Sequence, residues 1–192
     1  MVRDLGLSER EKDQIKDLCF LTAKPVVYVF NVSEAQIGRE LDEWINREYP
    51  DLLIYLSPHP LIFLCAKLEE ELFELEPEEQ KEYLKAIGLE ELGVDRLIKK
   101  CFNLLDLVTF YTIAGGKIVQ AWPLRRGETA LRASEKVHSD MSRGFIKAEV
   151  ISFQDLVEIG SWLEAEKLGK IRIEGRDYIV KDGEVVEFRF KI

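Results

Sequence analysis

The chain has 192 residues, of which 46% are hydrophobic, so it can form one moderate globular domain or two small ones. One third of the residues are charged and the net charge is −9. This composition predicts a globular protein with a real hydrophobic core.

Cysteine usage and hydropathy argue against a disulfide-stabilised protein and against a membrane-spanning one. The three cysteines, Cys19, Cys65 and Cys101, form no C-x-x-C pair and leave one thiol unpaired in any disulfide scheme, which favours a reducing, cytoplasmic setting. The longest apolar stretch is interrupted by Ser57-Pro58-His59-Pro60 and is too short for a membrane span, so no membrane partner is expected. The opening residues are too polar for a signal peptide.

The first hundred residues alternate between predicted helices and strands. A capping-box spacing at Ser8 and Glu11 predicts a helix over 8–18, and the apolar run at 26–30 predicts a buried strand. Helical spacing of Ile37, Leu41, Trp44 and Ile45 predicts an amphipathic helix over 34–48, followed by a second buried strand over 61–66. This strand, helix, strand order predicts two parallel strands that are a piece of a larger sheet. Two helices follow, one beginning near Pro77 and one opened by Asp95.

The character of the sequence changes near Leu105 to short runs with strand propensity. The runs LVTFYTI and KIVQAW are joined across Ala114-Gly115-Gly116, and DYIV and EVVEFRF are joined across Asp182-Gly183, so two hairpins are predicted. Between them lie a predicted strand, FIKAEVI, and predicted helices over about 129–137 and 153–168. The pattern predicts a small β-grasp-like α+β domain.

Two polar residues follow the first buried strand, at a place where ligands bind in open α/β sheets. The amide of Asn31 can both donate to and accept from a purine edge, and the carboxylate of Glu34 can accept from an exocyclic amine or a ribose. The alternative is structural: Asn31 or Ser33 caps the following helix and Glu34 favours its positive end. Composition and spacing leave both interpretations open.

Six segments in the same order along nearly the whole chain resemble the YchF/Obg-like ATPases, which are P-loop NTPases of the translation-factor class. These segments are LTAKPVVYVFNVSE (21–34), CAKLEEELFELEPEEQKEYL (65–84), GVDRLIKKCFNLLDLVTFYT (93–112), AWPLRRGETA (121–130), HSDMSRGFIKAEVISFQD (138–155) and GKIRIEGRDYIVKDGEVVEFRF (169–190). The resemblance implies a partial, Rossmann-like P-loop NTPase strand-helix-strand segment and a helical connector, followed by a β-grasp domain of the TGS type.

In that family an Asn-x-x-Glu tetrapeptide replaces the Asn-Lys-x-Asp of ordinary GTPases, and ATP is accepted as well as or better than GTP. The resemblance implies that Asn31 and Glu34 bind the base, that Val32 packs on it, and that Cys65 and Ala66 stand in the second base-contacting loop. Nothing in the sequence supports Cys65 as a nucleophile, because the nearest histidine, His59, is in a His-Pro turn. We assign no catalytic and no metal-binding residue.

The phosphate-binding motifs of the family are missing from the sequence, which contains no G-x-x-x-x-G-K-[ST] and no D-x-x-G in the corresponding stretch. Phosphoryl transfer depends on those phosphate and metal contacts, so we expect no hydrolysis and no cofactor for this chain alone. In the complete family protein the resemblance implies ATP or GTP with Mg²⁺. The implied domains are the end of a helical insertion (1–20), a piece of the nucleotide-binding domain (21–70), a connector (71–104) and the TGS domain (105–192).

TGS domains are associated with RNA or ribosome contact, and the second half of the chain has a weak signal for a polyanionic partner. Seven basic side chains lie between residues 117 and 147 against three acidic ones. The candidate RNA- or ribosome-binding residues are Arg125, Arg126, Arg132, Lys136, His138, Arg143 and Lys147. A solvated charged face is the alternative. Leu131 and Glu135 replace a proline and a glycine of the family's segment, which puts the local partner contact in doubt.

Two functions therefore stand side by side. The first is the C-terminal part of a YchF-type GTP- and ATP-binding protein, which recognises the purine and contacts RNA or the ribosome, and which needs a P-loop-bearing half for hydrolysis. The second is a stand-alone, non-enzymatic RNA- or ribosome-binding adaptor. In either case the strand pair has an exposed sheet edge, which predicts self-association or docking.

Overall fold

A computed structural model describes residues 1–37, 45, 47–56, 59–114 and 118–191. The chain divides into two compact units, Met1–Leu105 and Asp106–Ile192. Within the described ranges, none of the helices has the length and apolar character that crossing a membrane requires.

In its described part the first unit contains a two-stranded parallel sheet, five helices with defined bounds, and further helical residues at 45, 47 and 48. Strands β1 (Tyr28–Asn31) and β2 (Leu61–Leu64) pair in parallel, as the sequence predicts, and Asn31 lies opposite Leu64. The helices are α1 (Glu9–Ile15), α2 (Pro50–Leu56), α3 (Ala66–Phe73), α4 (Pro77–Ala86) and α5 (Gly93–Leu104). Short 3-10 turns cover Val2–Asp4, Lys16–Leu18, Leu21–Ala23 and Glu34–Gln36.

Local signals account for the starts of two of these helices. Helix α1 begins at the predicted capping box, in which the Ser8 backbone N–H donates to the Glu11 carboxylate at 2.8 Å. Helix α5 begins at Gly93, two residues before the predicted Asp95. The reason is a long-range cap: the N–H groups of Gly93 and Val94 donate to the two carboxylate oxygens of Glu69, at 2.8 and 3.1 Å.

The helix predicted over 34–48 begins differently in the structure. Glu34–Gln36 form a 3-10 turn, because Ser33 and Gln36 hydrogen-bond to each other at its start. The predicted apolar positions Leu41 and Trp44 lie outside the described residues, whereas Ile45 is helical and buried. Helix α2 was not predicted.

A small apolar cluster holds α3 and α4 beside the carboxyl ends of the strands. Its buried members are Cys65, Leu68, Leu72, Leu84 and Leu92, and Ile37 packs against it. The cluster therefore anchors the segment that follows β1 and the segment that follows β2 to the same pair of helices, α3 and α4.

The second unit is built on a five-stranded sheet with the order β4-β3-β7-β5-β6. The strands are β3 (Leu107–Ala114), β4 (Ile118–Arg125), β5 (Phe145–Ser152), β6 (Arg172–Glu174) and β7 (Glu184–Phe190). The central pair β3 and β7 is parallel and the other pairs are antiparallel. The helices are α6 (Ala130–Val137), α7 (Ser139–Arg143), α8 (Phe153–Ile159) and α9 (Trp162–Lys167). This is the β-grasp arrangement, so the predicted fold class is confirmed.

Helices cover both faces of this sheet, because its strands place apolar side chains alternately on the two sides. Phe110 and Val186 face a core that includes Ala130 and Ala133 of α6. Their neighbours Ile113, Ile151 and Val185 face a second cluster, built around Trp162 and Ala165 of α9. The aromatic residue Phe110 is fully buried, and Trp122 is half-buried against the first core.

The predicted hairpin between DYIV and EVVEFRF was wrong. The run DYIV is not a strand and forms no hairpin with β7: it lies along the start of α6, where the Ala130 N–H donates to the Tyr178 carbonyl at 2.7 Å. The Asp182-Gly183 turn instead docks on β3, since the Thr109 N–H donates to the Asp182 carboxylate at 2.7 Å. The second partner of β5 is β6, which the sequence analysis missed.

The helix predicted over 153–168 is two helices. Gly160 has φ 89° and ends α8 in the left-handed conformation. The Ser161 hydroxyl then accepts from the Glu164 N–H and caps α9.

Candidate functional site

The parallel pairing of β1 and β2 places their two following loops at one edge of the sheet. The Val32 N–H donates to the Leu64 carbonyl at 2.9 Å, which continues the pairing past Asn31. Two residues beyond Leu64, the Ala66 N–H donates to the side-chain Oδ1 of Asn31 at 3.0 Å. The structure therefore brings Asn31 and Ala66 together, as the hypothesis that both contact a purine base requires.

This contact fixes which atoms of Asn31 are available to a ligand. A backbone N–H can only donate, so the side-chain atom that it meets is the amide oxygen. The two N–H donors on Nδ2 have no protein partner among the described residues, and Asn31 is exposed. Asn31 is therefore a pre-oriented hydrogen-bond donor at the sheet edge.

Glu34 is exposed, and its side chain has a partner from another part of the chain. Ser33, one of the two residues that the structural alternative proposes as a cap, caps the short turn together with Gln36: its nitrogen and hydroxyl lie 3.0 and 2.8 Å from Gln36 Oε1. Asn31, the other proposed cap, does not take part. The Tyr83 hydroxyl donates to Glu34 Oε1 at 3.2 Å. The negative charge of Glu34, together with this hydrogen bond, raises the pKa of Tyr83 above its usual value. The hydroxyl therefore remains a donor.

The other predicted base-binding residues, Val32, Cys65 and Ala66, differ in whether their side chains can contact a ligand. Val32 is half-buried and Ala66 is exposed, whereas the Cys65 side chain is buried in the cluster with Leu68 and Leu72. Cys65 can therefore contribute only its backbone at this edge. His59, whose ring lies 5.7 Å from the Tyr28 ring, is at the other end of the strands, so it is not placed to activate the Cys65 thiol.

The predicted basic residues of the second unit are mostly paired with acidic neighbours. Arg126 pairs with Asp106 at 3.0 Å, Arg132 with Glu135 at 2.6 Å, Arg143 with Asp140 at 3.9 Å and Lys147 with Glu149 at 2.8 Å. His138 Nδ1 accepts from the Asp140 N–H at 3.2 Å and caps α7. Arg125 and Lys136 are exposed and have no ion-pair partner among the described residues.

The pair at Lys147 belongs to a charge network across β5 and β7. Arg189 contacts both Glu149, at 2.9 Å, and Glu187, at 3.1 Å. Burial alone would raise the pKa of Glu149, but hydrogen bonds from Lys147 and Arg189 outweigh it and hold that pKa below its usual value. Burial raises the pKa of Glu187. The first role of Lys147 is therefore to stabilise the sheet through its ion pair with Glu149.

Across the described ranges, no group of three His, Cys, Asp or Glu side chains is arranged to hold a metal ion. Tyr83 is the residue at the site that the sequence analysis missed. It lies 49 positions after Glu34, and an exposed tyrosine on an amphipathic helix gives no local signal of such a contact.

Comparison with known proteins gives a consistent result over the whole chain. Residues 107–191 match a family model described as "YchF-GTPase_C: Protein of unknown function (DUF933)". The chain is 38% identical over 192 residues to the ribosome-binding ATPase YchF of Bacillus subtilis, and 40% identical over 195 residues to that of Haemophilus influenzae. These alignments cover 99% and 100% of this chain but 51% and 52% of the relatives, so the chain spans about half the length of the curated relatives it matches.

Two solved structures have a similar fold. The Schizosaccharomyces pombe YchF GTPase matches with a TM-score of 0.75 and 27% identity, over 97% of this chain and 49% of that one. A GTP-binding protein from Pyrococcus horikoshii matches with a TM-score of 0.59 and 18% identity, over 97% of this chain and 58% of that one, which supports the fold alone.

Proposed function

The chain corresponds to the C-terminal half of a YchF-type protein, and we propose that its first unit recognises the base of a purine nucleotide through Asn31, Val32, Glu34 and Ala66. The observation that supports this most directly is the 3.0 Å hydrogen bond from the Ala66 N–H to Asn31 Oδ1. It joins the two loops that the resemblance assigns to base recognition and leaves the Nδ2 donors of Asn31 for a ligand.

The donors of Asn31 suit an atom that both purines share. N7 of adenine and of guanine is an acceptor, so an Nδ2–H bond selects purines over pyrimidines without separating the two purines. Val32 offers an apolar surface beside the donor, and the carboxylate of Glu34 offers acceptors for an exocyclic amine. Within this set, Glu34 is therefore the residue that contacts the edge at which the two purines differ.

The chain supplies the contacts for the base and not those for the phosphates, because it contains no P-loop motif. We propose that hydrolysis of ATP or GTP with Mg²⁺ needs a P-loop-bearing half, as the names of the relatives suggest for complete proteins. The three cysteines are free thiols, which is compatible with the cytoplasmic setting that we propose.

A titration of the chain with nucleoside monophosphates tests base recognition directly. The expected result is weak binding of AMP and GMP, with a Kd on the order of 1 mM, and no binding of CMP, measured by ¹H–¹⁵N NMR. The shifted signals should be the Asn31 side-chain amide and the backbone amides of Val32 and Ala66. MgATP should bind no more tightly than AMP, since no cradle for its β- and γ-phosphates is present. Equal shifts with CMP, or shifts confined to other residues, would contradict the proposal.

We further propose that the second unit contacts RNA or the ribosome, which is what the relatives' names suggest. Of the predicted basic residues, Arg125 and Lys136 support this best, because both are exposed and outside the local ion pairs. The paired residues Arg126, Arg132, Arg143 and Lys147 are secondary candidates, since a phosphate would have to compete with a neighbouring carboxylate.

Cosedimentation with ribosomes tests this second part. Replacing Arg125 and Lys136 together by Glu should reduce ribosome binding several-fold and flatten its dependence on salt. A variant with Lys167→Glu and Lys170→Glu makes the same change in net charge elsewhere in the unit and should bind as the unmodified chain does. An equal loss in both variants would point to a general charge effect and contradict a specific contact.

A further inference from the structure

The hydrogen bond between Tyr83 and Glu34 links the candidate base site to a helix that has its own support. Tyr83 lies on α4, next to Leu84, which is only 4% exposed in the apolar cluster. The Gln80 side-chain amide donates to the Leu72 carbonyl at 3.0 Å and ties α4 to α3. The Tyr83 hydroxyl therefore approaches Glu34 from a fixed helix.

We propose that Tyr83 is a positioning residue that reserves one carboxylate oxygen of Glu34 and thereby makes the site favour adenine over guanine. This proposal rests on the proposed function of the first unit, and it assigns the choice of purine to a residue outside the Asn-x-x-Glu motif. The observation behind it is the 3.2 Å contact from the Tyr83 hydroxyl to Glu34 Oε1.

The two purines differ in how many N–H donors they present to a carboxylate. Guanine presents two parallel N–H donors, N1–H and N2–H, which a carboxylate accepts best with both oxygens at once. Adenine presents one exocyclic amine, for which a single oxygen is enough. With Oε1 engaged by Tyr83, Glu34 has only Oε2 free of hydrogen bonds to the described residues, which matches adenine, whereas guanine has to share Oε1 with the tyrosine hydroxyl or displace it, which weakens its second hydrogen bond.

The electrostatic setting keeps Tyr83 in the role of donor. The charge of Glu34 is the main cause that raises the pKa of Tyr83, and Glu71 adds to it. The phenol therefore stays protonated at neutral pH. Because the contact is exposed, its effect is modest, about fivefold in relative affinity.

The test is the ratio of the GMP and AMP dissociation constants, measured by NMR titration of the full chain. Tyr83→Phe removes only the hydroxyl from an exposed helix position and should lower this ratio about fivefold, chiefly by tightening GMP. Tyr28→Phe, which removes the same atom at the opposite end of β1, should leave the ratio unchanged.

A double-mutant cycle shows whether Tyr83 acts through Glu34. In a Glu34→Ala background, Tyr83→Phe should have no further effect on the ratio. Three results would each overturn the positioning role while leaving base recognition standing. They are an unchanged ratio for Tyr83→Phe, an equal loss of affinity for both nucleotides, and the same effect of Tyr83→Phe with and without Glu34. Failure of the unmodified chain to bind AMP would instead overturn the proposed function, and this inference with it.

Discussion

The side-chain oxygen of Asn31 and the backbone nitrogen of Ala66 are 3.0 Å apart, although 35 residues separate them in the sequence. The contact exists because β1 and β2 run in parallel and end together, with Asn31 opposite Leu64. It gives one side chain two tasks: the amide oxygen stabilises the loop after β2, and the amide nitrogen faces solvent at the candidate site.

These two tasks can be separated by substitution. Asn31→Asp keeps an oxygen for the Ala66 N–H but removes the donors, so we expect the fold to be preserved and AMP binding to be lost at least tenfold, because a carboxylate repels N7. Asn31→Leu removes both functions and should also leave the Ala66 N–H unpaired, at a cost of about 1 kcal/mol.

The measurement is the NMR titration with AMP, together with the hydrogen-exchange protection of the Ala66 amide. Protection should persist in the aspartate variant and fall in the leucine variant. Undiminished AMP binding by Asn31→Asp would show that the Nδ2 donors do not contact the base.

The charge network across β5 and β7 predicts a pH-dependent contribution to stability. The Glu149 carboxylate contacts Lys147 at 2.8 Å and Arg189 at 2.9 Å, and these partners lower its pKa below the reference value of 4.5. We expect Glu149→Gln to reduce the free energy of unfolding by about 1 kcal/mol at pH 7, after allowance for solvent screening.

The direction of the pH effect follows from the lowered pKa. A carboxylate with a depressed pKa in the folded state stabilises the protein above its unfolded pKa, and that contribution disappears as pH falls through the folded value. The difference between Glu149→Gln and the unmodified chain should therefore vanish in acid below pH 4.5. Urea unfolding monitored at the β5 amides measures it, with the exposed Glu158→Gln as control. A difference that is constant with pH would mean that the ion pairs contribute nothing.

Close packing of two backbones predicts a strict requirement for glycine at position 144. A Cβ at Gly144 would lie 2.0 Å from the Lys191 carbonyl oxygen, a contact that only a backbone shift could relieve. Gly144→Ala should therefore destabilise the second unit by about 2 kcal/mol. Gly175→Ala, where a Cβ would meet nothing within 4 Å, is the matched control and should change stability little. Thermal unfolding of the two variants measures the difference, and equal melting temperatures would contradict the requirement for glycine at position 144.

The strand pair of the first unit predicts self-association. In the described part of that unit β1 pairs only with β2, and Val29 on β1 is 45% exposed. An unpaired edge with apolar side chains favours pairing with a second copy. We expect sedimentation velocity to show concentration-dependent association that Val29→Lys weakens, since a lysine on an edge opposes strand pairing. A monomer at all concentrations would refute self-association.

Residue patterns were most informative where a structure is decided by near neighbours. The capping box at Ser8 and Glu11, the proline start of α4 and the β3–β4 hairpin follow from local spacing and turn chemistry. The pattern failed at DYIV, whose alternation is typical of a strand, because the docking of residues 176–180 along α6 gives those backbone groups other partners. It also failed at α5, where a carboxylate from a different helix supplies the cap.

For the candidate site, the order of residues along the chain shows which side chains stand at the end of β1, and the resemblance to a family indicates what they bind. Their orientation comes from packing: Ala66 fixes the amide of Asn31, the apolar cluster buries the thiol of Cys65, and Tyr83 contacts Glu34. Hydrogen bonds between residues 35 and 49 positions apart depend on how strands and helices pack against each other, and local sequence spacing does not predict that packing.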